Sequence, residues 1–222
     1  MKRPHPVPHA SRSRSLTRAL PRLGAAVAML SLGGCGAAAP RTAGLDPARL
    51  DPRALYPLHE AYVWSYDVDT GTGVHTFAVS RVVRASEGRF AVTNGGTEIE
   101  YEQRPDGLFR PQTGTYLLRA PIEVGASWPA AAGATARVTS VTEVVDGRAG
   151  HFEGCVRVVE ENDAGSGRSV VTVYCPGQGP TLVESRQSME LSGQVVTVRA
   201  ELIGLVRGEE DAESPEELDA PR

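Results

Sequence analysis

The stretch HFEGCVRVVEENDAGSGRSVVTVYC, residues 151–175, decides the fold. Two alternating, β-branched runs flank a polar, glycine-rich segment, the pattern of two strands joined by a turn. With the hairpin centred on Gly165, residues whose numbers sum to 330 face each other: Val159 opposite Val171, Arg157 opposite Val173, and Cys155 opposite Cys175. The two cysteines then share a face. Directly opposed residues of a non-hydrogen-bonded pair bring their Cα atoms to about 4.5 Å, within disulfide range. A Cys155–Cys175 bond is therefore expected, and closing a loop of this size contributes roughly 3 kcal/mol in the chain-entropy model.

Working outward, the same texture recurs from Ala61 to Val206. The segments AYVWSYDVD, GVHTFAVSRVVRA, GRFAVTNG, GTEIEYEQ, GLFR, GTYLLRA, ATARVTSVTEVVD, GPTLVESRQSMEL and QVVTVRAELIGLV join the hairpin's two strands to make eleven candidates. Turns such as NGG, RPDG and DGRAG separate them, and helical periodicity is nearly absent. This predicts an all-β antiparallel meander. A strongly curved sheet, an open barrel and a sandwich all remain compatible, although so many strands tend to curl an open sheet. In TEIEYEQ the alternation puts Glu98, Glu100 and Glu102 on a solvated face and turns Ile99 and Tyr101 inward.

The strands also hint at two similar halves. PLHEAYVW (57–64) resembles PIEVGASW (121–128), and RVVRASEGRF (81–90) resembles EVVDGRAGHF (143–152). Each copy of the meander would then be opened by a buried tryptophan, Trp64 or Trp128.

Upstream of the domain, residues 1–22 carry Lys2, Arg3, Arg12, Arg14, Arg18 and Arg22 and no acid. The uncharged run LGAAVAMLSL (23–32) follows, then Gly33, Gly34 and Cys35. A cationic region, a short apolar region and small residues make a secretory signal, too short to remain as a membrane-spanning helix. Leu32-Gly33-Gly34-Cys35 resembles the lipobox of bacterial lipoproteins. The resemblance implies removal of residues 1–34 and a mature chain that starts at a lipidated Cys35, whose acyl chains, palmitate among them, hold it on a membrane. Two or three chains suffice for stable anchoring, since each buried methylene adds about 0.8 kcal/mol. Gly36 in place of Asp implies the outer membrane, with the domain facing the periplasm.

A second resemblance spans about Pro57 to Val206. The segments GASW (125–128), AGHFEGC (149–155) and YCPGQGP (174–180) are similar to a group of secreted bacterial β-domains and lipoproteins with G-x-x-W, A-G-x-F-x-x-C and Y-x-P-G-x-G motifs. Gln178 departs from the aliphatic residue usual between the two glycines. The resemblance implies fold and export, not an activity.

Loss of the leader leaves 17 basic against 27 acidic side chains, a mature net charge of −10, and seven of those acids lie after Gly208. That tail, 208–222, has too little apolar surface to offset the cost of ordering and is read as disordered. The intervening domain is mildly acidic, which argues against a nucleic-acid surface. Residues 35–55 read as an Ala/Pro-rich tether, with a helical turn or two in LDPARLDPRALYP capped by Asp46 ahead of Pro47, and 56–207 as the β-domain. About 20 flexible residues would hold the domain roughly 25 Å from its anchor.

The residues offer little chemistry. His59, His75 and His151 are far apart and match no metal spacing. Asp67 and Asp69 share a strand face before a glycine-rich turn, but the calcium-loop pattern is incomplete and the turn reading dominates. No nucleophile elbow, phosphate loop or dinucleotide fingerprint is present, and no cofactor is expected. Three functions follow in order: a non-enzymatic, lipid-anchored envelope module that binds or assembles with an envelope protein; a carrier for an apolar ligand lodged beside Trp64 or Trp128; and, last, a secreted hydrolase using Asp67 and Glu100.

Overall fold

The computed structural model describes residues 50–162, 167–189 and 193–208. Cys35, the leader, Asp46–Pro47, Gly165 and the acidic tail beyond Gly208 lie outside the described residues. Twelve antiparallel strands form one sheet: β1 (Val63–Asp69), β2 (His75–Ser86), β3 (Arg89–Asn94), β4 (Thr97–Arg104), β5 (Gly107–Arg110), β6 (Thr115–Arg119), β7 (Ser127–Pro129), β8 (Thr135–Gly147), β9 (Gly150–Glu161), β10 (Arg168–Cys175), β11 (Gly179–Ser188) and β12 (Val195–Val206). All eleven expected strands are present. The twelfth, β7, has only three residues around Trp128, too few to show alternation.

The spatial order is β6-β5-β4-β3-β2-β1-β12-β11-β10-β9-β8-β7. This is a simple up-and-down meander whose first and last strands pair, Val63 opposite Val206 and Asp69 opposite Arg199. The break in the ring therefore falls in mid-chain, between β6 and β7. There the Trp128 indole N–H donates to the Tyr116 carbonyl at 3.2 Å, so a side chain bridges the seam that backbone pairing leaves open. The sheet is thus a nearly closed barrel, which removes most of its exposed edge.

The expected register of the central hairpin holds. Ser169 pairs Glu161, Val171 pairs Val159 and Tyr174 pairs Val156. Cys155 and Cys175 form a disulfide with Cα atoms 4.3 Å apart. The bond lies on the outer face yet is fully buried. Three register shifts along β8 bend the β8–β9 hairpin, and its Val145 and Phe152 pack with Leu182 over Cys155, Val173 and Cys175. Near the hairpin tip Arg148 pairs with Asp67 of β1 at 2.9 Å. The hairpin is a strap across the outside of the sheet, which is why the last four residues of β10 are buried on both faces.

Inside the barrel runs the main core. Odd-numbered strands run from the end where β1 begins to the opposite end, so both chain ends leave the barrel together. A short helix, α1 (Pro52–Leu55), closes that end. Asp51 caps it by accepting from the Arg53 N–H at 2.8 Å, with Pro52 at the first helical position. This repeats, one LDP triplet later, the cap expected at Asp46 and Pro47. Leu55, assigned to the tether from sequence, is fully buried together with Tyr56 and Leu58; the domain thus begins before Tyr56.

Candidate functional site

The two ends of the barrel interior differ in chemistry. At the closed end Tyr56 meets Trp64 edge-on at 5.3 Å and Tyr101 at 5.8 Å, and Tyr62 adds a further edge contact to Trp64. The YCPGQGP turn organises this end. The Gly177 N–H donates to the Ala54 carbonyl of α1, the Gln178 carbonyl accepts the Trp64 indole N–H at 2.7 Å, and the Pro180 carbonyl accepts the Tyr66 hydroxyl at 3.0 Å. Gly179 has φ +84°, and a Cβ there would stand 2.9 Å from Trp64 Nε1. Glycine is required at 179 by conformation and by contact. Gln178 works through its backbone, so its departure from the aliphatic pattern leaves the turn intact.

At the opposite end the interior becomes polar. Arg110, at the end of β5, and Glu160, at the end of β9, face each other across the lumen, 3.9 Å apart, with about a fifth or less of each side chain exposed. Between them and the closed end lie the phenols of Tyr101 and Tyr174. Burial raises the Tyr101 hydroxyl above its ordinary range, and the Arg110 guanidinium beside it pulls the other way. Tyr174 is raised first by burial and then by the Glu160 carboxylate. A cavity of about 110 Å³ opens here, lined by Arg110, Glu160, Arg168, Val170 and alanines of the β7–β8 loop. Asn162 fastens that loop by donating to the Ala132 carbonyl at 3.1 Å. A paired cation and anion in a small, partly enclosed mouth can orient a polar ligand.

No family model and no curated protein matches the chain. Similar solved structures include a Bacteroides fragilis protein named as exported and as having a YmcC-like fold, with TM-score 0.46 and 14% identity over 68% of this chain and 98% of that one. A Parabacteroides distasonis protein named as a lipoprotein matches at TM-score 0.41 and 14% identity over the same shares. At this identity and these scores, nothing about either protein transfers to this chain.

The residues singled out from sequence fall elsewhere. Trp64 and Trp128 belong to the core, both buried and both hydrogen-bonded to backbone carbonyls. Neither lines the 110 Å³ mouth. Tyr56, Tyr62 and the Gln178 carbonyl surround Trp64. Asp67 is held by Arg148 and by His75, at 2.9 and 3.0 Å, and Asp69 accepts from the Gly71 N–H as the expected turn residue. Glu98 and Glu100 share Arg84 at 3.1 and 3.4 Å, and Glu102 pairs with Arg104. Asp67 on β1 and Glu100 on β4 therefore sit three strands apart, each with its own cation. His59 stacks on Tyr62 at 4.9 Å, and His151 bridges Asp146 and Glu153 on the strap. Among the described residues no three metal-ligating side chains cluster.

Arg110 and Glu160 were missed from sequence, although a signal existed. In GLFR, Arg110 shares the inward parity of Leu108. In CVRVVEE, Glu160 continues the inward parity of Val156 and Val158. A charge on the buried phase of a strand points to a partner across the core.

Proposed function

We propose that the chain is a lipid-anchored envelope protein, held on a membrane through Cys35, whose barrel is a non-enzymatic binding module that presents the Arg110–Glu160 mouth to an envelope partner. The observation that carries this reading is polarity along the barrel. Both chain ends leave at the end filled by α1, Leu55 and Trp64, and the open, charged mouth lies at the other. The mouth is therefore not covered by the segment through which the domain would be anchored. The leader, the Leu32–Cys35 segment and Gly36 support attachment to the outer membrane on the periplasmic side. No catalytic role is assigned to any residue, and the filled core beside both tryptophans disfavours an apolar-ligand carrier. Mass spectrometry of the mature N-terminal peptide tests the anchor: a diacylglyceryl-modified, acylated Cys35 is expected, with loss of membrane fractionation in Cys35→Ala. A soluble wild-type chain retaining residues 1–34 overturns it.

A further inference from the structure

Arg110 and Glu160 stand 3.9 Å apart, beyond hydrogen-bond distance, and the Arg110 guanidinium also lies against the Tyr101 hydroxyl. A closed arginine–carboxylate pair makes two parallel N–H···O bonds. Here the two facing charges both line a cavity instead of closing into such a pair. That cavity holds about 110 Å³, enough for a small polar group rather than a whole large ligand. Its remaining wall is Ala131, Ala132, Ala134, Asn162, Arg168 and Val170.

A matching ligand group must accept from Arg110, donate to Glu160 and place a small apolar part against the alanines. A carboxylate satisfies Arg110 but is repelled by Glu160. An ammonium satisfies Glu160 but meets two arginines. A neutral secondary amide with a methyl group meets every requirement, and its size fits the volume. We propose that the mouth binds the acetamido group of an N-acetylated ligand, its carbonyl accepting from Arg110 and its N–H donating to Glu160. This rests on the reading of the mouth as the binding face.

The group could come from an amino sugar or from an acylated amino acid, so the test has both arms. Saturation-transfer NMR of the mature, acylated chain is run with N-acetylglucosamine, with N-acetylalanine methylamide and with glucose. Strongest saturation at the acetyl methyl, and none of glucose, is expected; whichever N-acetyl compound binds more tightly identifies the source. Arg110→Gln weakens binding at least tenfold. Ala134→Leu fills the cavity while leaving both charges in place and abolishes binding, with an unchanged unfolding midpoint showing that the barrel is intact. Absence of acetyl saturation, equal saturation of glucose, or undiminished binding in Ala134→Leu overturns the inference. Because Cys35 acylation is weighed on the same preparation, such a failure is distinct from a failure of the anchor.

Discussion

Trp64 and Trp128 hold the same place in the two halves of the barrel, yet one opens a strand of seven residues and the other a strand of three. The halves, β1–β6 and β7–β12, begin alike: Leu58 and Ile122 are both buried, and both indoles donate to a backbone carbonyl. They diverge at the next hairpin. β2–β3 turns between Ser86 and Arg89, whereas β8–β9 turns between Gly147 and Gly150, one residue out of step with the matched sequences. Such a slip reverses the faces. Val82 is buried where its counterpart Val144 is exposed, and Val83 is exposed where Val145 packs over the disulfide. One half thus stays a plain meander, while the other folds its hairpin over the outside and is stapled beneath it.

Because Trp64 sits in the closed end and Trp128 at the seam, the two tryptophans should differ in weight. Trp64→Ala is expected to cost about 4 kcal/mol, toward the upper part of the range for buried aromatic truncation. It loses its place among Tyr56 and Tyr62 and orphans the Gln178 carbonyl. Trp128→Ala should fall at the low end, about 3 kcal/mol, because its neighbours include an unpaired strand edge. Chemical denaturation of both variants measures the order, and equal losses would erase the distinction between closed end and seam.

Removing the staple comes next. The double variant Cys155→Ala, Cys175→Ala should lose roughly 3 kcal/mol on the loop-closure estimate. It should also raise hydrogen exchange in β9 and β10 while leaving β2 and β3 protected. Uniform loss across both halves would show that the strap and disulfide are not specific to the second. Gly179→Ala ranks below it, at about 2 kcal/mol for forcing an alanine to positive φ, since the added methyl also presses on Trp64. Its expected signature is a change in tryptophan fluorescence, and unchanged emission would free that turn from the role assigned to it.

What could be read beforehand follows from where the information sits. The β9–β10 register and the disulfide were legible because turn, alternation and both cysteines lie within one local window. Closure was not. The pairing of β1 with β12 joins residues at opposite ends of the domain, and no local pattern specifies it. The repeat was visible in residue identity, but the one-residue slip that turns Val145 inward onto the disulfide depends on bulges in β8. The mouth was overlooked for a related reason. A lone arginine ending GLFR and the first of the two glutamates closing CVRVVEE each look like ordinary strand-end charges until the barrel brings them face to face.

The smallest predicted effect concerns the strap itself. His151 lies where the first half has Arg89 in the matched sequences, and its pKa is raised, first by the Asp146 carboxylate and then by Glu153. A histidine whose folded pKa exceeds the unfolded value of about 6.5 stabilises the native state in its charged form. That contribution is complete at acidic pH below the unfolded value and disappears as pH rises through the raised folded value. The group is fully exposed, so solvent screens the interaction and the shift in unfolding midpoint should be slight. Wild type should exceed His151→Gln in thermal midpoint at mildly acidic pH and converge with it at alkaline pH. The difference should also fade in high salt. A gap that widens with rising pH has the wrong sign and would mean that Asp146 and Glu153 hold the strap by contacts other than this one.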